Sequence, residues 1–355
     1  YLRVDFLSWF EDGKDKLPEL SNELNRPKEH YRTALRWMKE ACDANNIILS
    51  LVMPHLYNNA ENEIIAAPNS LIRINEDVCD GGWFRLSEIN RGQSHSIWSK
   101  YHNMFDGFVY WSRVSDKMIL DGDFTRLNTF VNDAEKKTAI SLQIMAGGPI
   151  AVADQYSTIG DNLRYYTNNE LLDLNKEKFI GKPLSNNPLD DKSQIWKGQT
   201  ENGDWIVGLF NRNNYATVRS FDLYNELGIN KANVRELWSK TDLADVTKLE
   251  ENIEPHGCRI FRISNDNTTI IQKVLQSGIK LYPTLIKDYL NIDICSPSNP
   301  FFSIYNTNGK LMYSAKLVEN SNQIDLKNKT NNGVHMVRIA NDKKTETFKV
   351  NIHAD

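Results

Sequence analysis

The sequence has 355 residues, 40% hydrophobic and 25% charged, with a formal net charge of −4. That length favours two or three domains. No run approaches the roughly 20 apolar residues of a membrane span, and no global basic field invites nucleic acid. Cysteines stand at 42, 79, 258 and 295, too far apart for a zinc knuckle or a redox pair.

In chain order, Tyr1–Phe6 is a strand candidate, and its position at the very start reads as a strand entered in mid-domain. Any leader would lie upstream. A helix is expected after Asn25-Arg26-Pro27, with Pro in the tolerated first turn. Its apolar residues Tyr31, Ala34, Leu35, Met38 and Ala41 share one face, and Asn45-Asn46 stops it. Strands are expected over Ile47–Val52 and Ser70–Ile74, then a helical stretch around His95–Phe105. Met118–Leu120 is a short strand, residues 132–146 a helix stopped by Gly147-Gly148-Pro149, and Ile150–Ala153 a fifth strand.

Strand alternating with helix implies parallel strands joined by crossovers. Polar residues gather where those strands end: Asp5, His55, Asp77, Asp121, Asp123 and Asp154. In a (β/α)8 barrel the site lies at that end of the strands. The fold class expected is therefore multidomain. Residues 1–183 are the C-terminal part of a (β/α)8 TIM barrel whose first strands precede Tyr1. Residues 190–264, with short strands and turn signals, form an antiparallel β-sandwich. A polar linker covers 265–278, and 279–355 form a second small all-β sandwich whose best local signal is the Asn308-Gly309 turn between two strands.

Retaining glycoside hydrolysis needs two carboxyl groups across the sugar, one ionised to attack and one protonated to donate. Asp5 and Asp77 fit that need. One strand separates theirs, as expected for two βα units of about 35 residues. Arg73 stands four residues before Asp77, where a guanidinium can bind a hydroxyl or hold a carboxylate. Trp9 and Trp83 follow the two aspartates and offer faces for stacking on sugar. Each residue has a plainer use: an aspartate at a strand end forms turns or caps helices, a tryptophan packs, an arginine pairs at the surface. Asp121 and Asp123 supply too few oxygens for Ca²⁺ and are expected to orient their own loop. No metal and no cofactor are expected.

Tyr-Leu-Arg-Val-Asp-Phe at the start resembles the nucleophile strand of glycoside hydrolase family 27, the α-galactosidase (melibiase-like) family, whose pattern is Lys-Tyr-Asp. Leu71-Ile72-Arg73-Ile74-Asn75-Glu76-Asp77-Val78 resembles its acid/base segment, and Lys117–Asp123 is a looser match to the next strand. Ile140–Ala153 is similar to its helix-8 to last-strand passage. Leu237–Leu243 with Pro255-His256-Gly257 resembles motifs of its C-terminal β-domain. The resemblance implies a hydrolase acting by double displacement, with Asp5 as nucleophile and Asp77 as acid/base. It places Arg3 where the family has a substrate-binding Lys and gives Arg73 a sugar hydroxyl. The loop Ser50–His55 departs from the family's sugar-reading segment, so His55 is either a sugar ligand or a loop histidine with a structural hydrogen bond. Galactose is the default sugar; N-acetylgalactosamine, arabinopyranose and α-1,6-glucan are the family's alternatives.

Lys280–Ile292, Ile304–Lys310 and Gly333–Ile339 resemble the opening, hairpin and last strand motif of the type IX secretion C-terminal sorting domain. That implies the type IX secretion machinery as a partner, a carbohydrate substrate, and a secreted or cell-surface location in a Gram-negative bacterium. The competing reading is a non-catalytic, surface-displayed carbohydrate-binding protein, in which the tail is an accessory sandwich. Half a barrel leaves strand edges unpaired, so these residues on their own are expected to be inactive.

Overall fold

The structure, a computed structural model, describes residues 1–14, 26–95, 98–264, 279–282, 285–286, 289–294, 300–318, 320–340 and 345–352. The chain divides into two compact units, residues 1–267 and 268–355. The expected linker 265–278 and Cys295 lie outside the described residues.

The first unit opens with a four-stranded parallel sheet in sequential order: β1 (Leu2–Val4), β2 (Leu49–Leu51), β3 (Leu71–Arg73) and β4 (Ile119–Asp121). Leu2, Arg3 and Val4 pair with Leu49, Ser50 and Leu51, and Arg73 pairs with Asp121. The fourth strand breaks at Gly122 and resumes as β5 (Phe124–Thr125), which pairs in parallel with β6 (Ala151–Val152). The sequence reading had one strand where the chain has β4 and β5. The break has a physical cause: Asp123 sits at φ 92° and donates its N–H to Asp121 Oδ1 at 2.8 Å.

Helices α1 (Leu7–Glu11), α2 (Lys28–Ala44) and α3 (Tyr57–Ala66) accompany the first strands. In α2, Tyr31, Leu35 and Cys42 are buried and Met38 partly so. Burying a leucine such as Leu35 contributes about 1.5–3 kcal/mol. Ala41 was expected on that face and is exposed; the 3.6-residue turn gives its place to Cys42. The helical stretch expected around His95–Phe105 is not there among the described residues: the helix α4 is Met104–Trp111, sharing only Met104 and Phe105 with it, and is capped by the Asn103 side chain accepting from Asp106 N–H at 2.8 Å. Every α4 residue except Tyr110 is buried, so it has no polar face and its period was hidden. The helix α5 (Asp133–Met145) stands where the 132–146 pattern put it. It ends in a left-handed Gly147 (φ 71°), where a Cβ would meet Phe179 O at 2.9 Å.

Residues 182–263 form a six-stranded antiparallel sheet and a two-stranded one. The central strands are Ile195–Gln199, Trp205–Phe210 and Cys258–Ile263. The hydrophobic core runs without a break from the parallel sheet into this β region, through Trp196, Ile206, Phe210, Leu237 and Ile260. The motif residues Trp238 and His256 clamp α5 to it. Trp238 Nε1 donates to Ser141 Oγ at 2.8 Å, His256 Nδ1 meets Glu135 Oε1 at 2.8 Å, and Thr138 Oγ1 donates to His256 O at 2.7 Å. A second joint is buried. Arg212 and Asp106 are both fully enclosed, with Nη1 to Oδ1 at 2.7 Å, and Arg212 also donates to Ser87 Oγ and Ser87 O.

The second unit has a three-stranded and a five-stranded sheet, antiparallel apart from one short parallel edge pair. Its core holds Leu290, Ile292, Phe302, Ile304, Val337, Ile339 and Val350 among others. The expected hairpin is present as Phe301–Asn306 and Leu311–Lys316, with Gly309 at φ 76° and its N–H donating to Asn306 O.

Candidate active site

The C-terminal ends of the parallel strands meet in an open cleft of about 480 Å³. Arg3, Asp5, Asp77 and Asp123 line it, together with Cys79, Asp80, Gly81, Arg85 and Phe124. The structure thus brings together three of the strand-end groups that the sequence singled out, Asp5, Asp77 and Asp123, with Arg3 from the family resemblance. Asp5 follows β1 with its carboxylate exposed, accepting from the next N–H, that of Phe6, at 2.7 Å. Phe6 itself is in the left-handed region (φ 57°), which turns the chain sharply off the strand end. The Arg3 guanidinium lies 5.0 Å from the Phe124 ring centroid, a cation–π contact that sets its direction.

Arg73 is the organising cation. Its side chain is wholly buried, and its Nη2 reaches Asp77 Oδ1 at 2.9 Å and Asp123 Oδ2 at 2.8 Å. Asp77 is 95% exposed and Asp123 4% exposed. One guanidinium therefore holds a buried carboxylate behind and an open one in front. Burial pushes the Asp123 carboxyl up from its ordinary range, while Arg73 and the Val78 N–H pull it down. That N–H donates to Asp123 Oδ2 at 2.8 Å, so Asp123 ties the loop carrying Asp77 to the loop after β4. Asn75 adds a second tie, donating to Gly122 O at 3.0 Å. The sequence reading gave Asp123 only its own loop; its larger part is to brace Arg73.

Trp9, His55, Trp83 and the wholly buried Arg73 do not line this cleft, so Arg73 acts on the open Asp77 from behind. Trp9 is 51% exposed and lies against Phe6. Trp83 is buried and stacked on His256 at 4.2 Å, so its face is spent on the joint with the β region. His55 Nε2 is 3.0 Å from Asp12 Oδ1 and its ring stacks on Tyr57. It belongs to a separate polar group below α1, where Tyr31 donates to Glu63 at 2.8 Å and Asn62 to Glu11 at 3.1 Å. Burial and then Glu63 push the Glu11 carboxyl up to about 7. Sequence reasoning missed Asp80, Arg85 and Phe124 as cleft residues. Phe124 had a signal in the Asp-Gly-Asp turn before it; Arg85, on a π-helical turn over Phe84–Glu88, had none. Cys42, Cys79 and Cys258 are free thiols.

Comparison with known proteins places this geometry. Residues 190–263 match the family model described as the alpha galactosidase C-terminal beta sandwich domain, and residues 280–353 match the secretion system C-terminal sorting domain. The isomalto-dextranase of Arthrobacter globiformis is 40% identical over 277 residues, which are 74% of this chain and 42% of that protein. The chain thus spans less than half the length of this curated relative. A solved structure of Arthrobacter globiformis T6 isomalto-dextranase complexed with panose matches 99% of this chain and 68% of its own, at 27% identity and a TM-score of 0.67. A GH27 β-L-arabinopyranosidase from Geobacillus stearothermophilus matches 67% of this chain and 55% of its own, at 20% identity and a TM-score of 0.54. No helix among the described residues is long and apolar enough to cross a membrane. The chain has a GH27-like fold with an alpha galactosidase C-terminal β-sandwich domain, and it carries a secretion system C-terminal sorting domain that marks it for secretion or cell-surface attachment.

Proposed function

We propose that the chain is part of a retaining glycoside hydrolase that attacks the sugar with Asp5 and protonates the leaving oxygen with Asp77. The observation that carries this is the cleft itself: two open carboxylates in the segments that follow parallel strands β1 and β3, which one strand separates, with Arg73 holding the second. In the first step the Asp5 carboxylate displaces the leaving group at the anomeric carbon while Asp77 gives up its proton. In the second, Asp77 takes a proton from water, and that water releases the sugar from Asp5 with net retention. Arg3, which lines the cleft, then serves as a hydrogen-bond donor to a sugar hydroxyl, while the buried Arg73 holds Asp77 in place. On this reading the parallel strands are the C-terminal portion of a (β/α)8 barrel, covering residues 1–183, and the type IX secretion machinery exports the protein.

We favour an α-1,6-glucan of the dextran type as substrate over an α-galactoside. The 40% identity is to an isomalto-dextranase, whereas the α-galactosidase model matches only residues 190–263, which supply no wall of the cleft. The test uses the protein expressed from its complete reading frame, offered dextran and a panel of aryl α- and β-glycosides. Dextran hydrolysis that disappears in Asp5→Asn supports the reading. Hydrolysis of α-galactosides in preference to dextran overturns the substrate, and hydrolysis unchanged in Asp5→Asn overturns the mechanism. Binding of dextran with no turnover by the folded protein moves the assignment to a carbohydrate-binding protein.

A further inference from the structure

Beside the cleft, three side chains from three loop positions converge without a place in the chemistry above. Glu76 Oε2 is 2.9 Å from His102 Nδ1, and Glu76 Oε1 is 3.9 Å from His95 Nε2. The two imidazole rings lie 4.0 Å apart, centroid to centroid. One donor atom from each residue falls within 4.8 Å of the other two. All three side chains are mostly shielded, at 22%, 16% and 20% exposed for Glu76, His95 and His102.

The backbone behind each donor is held. Glu76 follows Asn75, whose side-chain amide donates to Gly122 O and to Glu76 O. His102 precedes Asn103, which caps α4 and accepts from the buried Arg212. The His95 N–H donates to Lys100 O at 3.0 Å. Two imidazoles and one carboxylate on fixed supports, open to water on one side, match the three-ligand pattern of divalent zinc with a free fourth position. Paired imidazoles disfavour Ca²⁺ and Mg²⁺, which prefer oxygen. Arg85 Nη1 lies 3.7 Å from Glu76 Oε2. It also lines the cleft, so it has room to swing away when an ion takes its place.

We propose that Glu76, His95 and His102 form a binding site for one divalent transition-metal ion of the zinc class. The ion ties the loop after β3 to the loop before α4. Because Glu76 is bonded directly to Asp77, a metal there also fixes the backbone that presents the acid/base candidate; that consequence rests on the glycosidase reading, while the binding site does not.

The test is equilibrium dialysis of the chelator-stripped protein, expressed from its complete reading frame, against Zn²⁺ and separately Co²⁺, with thermal unfolding followed in parallel. The expected result is one tightly held ion per chain, a tetrahedral-type visible spectrum with Co²⁺, and a raised unfolding temperature. His102→Ala and the milder His95→Gln each weaken binding by about 10–100-fold or more, since even supporting partners of ligands cost that much. Both variants must keep the metal-free circular dichroism spectrum of the parent protein. Stoichiometry far below one, or equal uptake by parent and by His95→Gln/His102→Gln together, would overturn the site and leave a hydrogen-bonded His–Glu–His cluster. Neither readout depends on turnover, so a failed glycosidase assay and a failed metal site remain distinguishable.

Discussion

The two units bury their polar groups very differently. In the second, the described core is apolar, and His335 is the single polar or charged residue recorded as buried. In the first, Arg73, Arg212, Asp106, Asp121, Asp123 and Glu63 are all enclosed. Burying a charge is costly unless it is paired and hydrogen-bonded. The second unit has the economy of a domain that only needs to fold and be recognised from outside. The first carries charges inward for two uses: Arg73 and Asp123 give the cleft a guanidinium with a fixed direction, and Arg212 with Asp106 joins α4 to the β region.

This contrast can be broken in several ways. The largest effect is expected at the open carboxylates. Asp5→Asn removes the nucleophile and should leave only background hydrolysis, and Asp77→Asn should lower turnover by about 10²–10⁴-fold, both read by steady-state kinetics. Next comes the enclosed pair joining α4 to the β region. Asp106→Ala strands a buried guanidinium that burial already pushes down to about 10. It should cost about 3–5 kcal/mol in denaturant unfolding. Replacing both partners by apolar residues of similar volume should cost much less, and an equal cost would contradict the claim that the unpaired charge is what hurts. Arg73→Lys keeps a charge but moves the donor, because the compact ammonium does not stand where the guanidinium Nη2 touches both Asp77 and Asp123. It should reduce kcat by about a hundredfold through misplacement, with little change in unfolding.

The smallest effect concerns Glu11. Its carboxyl is held at about 7 against an ordinary 4.5, by burial and then by Glu63. Between those values the folded chain binds the proton more tightly than the unfolded chain. Stability from this group is therefore complete below about pH 4.5 and lost as pH rises through 7. Glu11→Gln should flatten that slope and stabilise the chain at pH 8 by on the order of 1 kcal/mol, after allowance for its partial exposure. A slope unchanged in the variant would assign the pH dependence to another group.

Part of this architecture was legible because the buried parallel strands β2 and β3 are written as apolar runs, while the more exposed β1 showed as a short alternating run. β1 to β4 sit inside the runs Tyr1–Phe6, Ile47–Val52, Ser70–Ile74 and Met118–Leu120, with β4 ending one residue later at Asp121. Amphipathic α2 announced itself by period and α5, largely buried, by its Gly147-Gly148-Pro149 stop, while α4, buried on nearly every side, gave neither signal. Asp5 and Asp77, which line the cleft, were legible as candidates because each lies in the chain just past a strand, Asp5 directly after β1 and Asp77 four residues after β3. Trp83 was misplaced because sequence proximity to Asp77 says nothing about direction, and its ring turns to His256 from the distant Pro-His-Gly motif. The Glu76–His95–His102 convergence was invisible for the same reason: loop residues carry no period, and only the fold brings them within reach.

The central claim is that Asp5 becomes bonded to sugar. The most direct measurement is mass spectrometry of the protein from its complete reading frame after incubation with a mechanism-based 2-deoxy-2-fluoro glycosyl donor. The account predicts one added glycosyl group, recovered on the peptide that contains Asp5 and absent from Asp5→Asn. A label on another carboxylate, or none on an enzyme that turns over substrate with inversion, would contradict it.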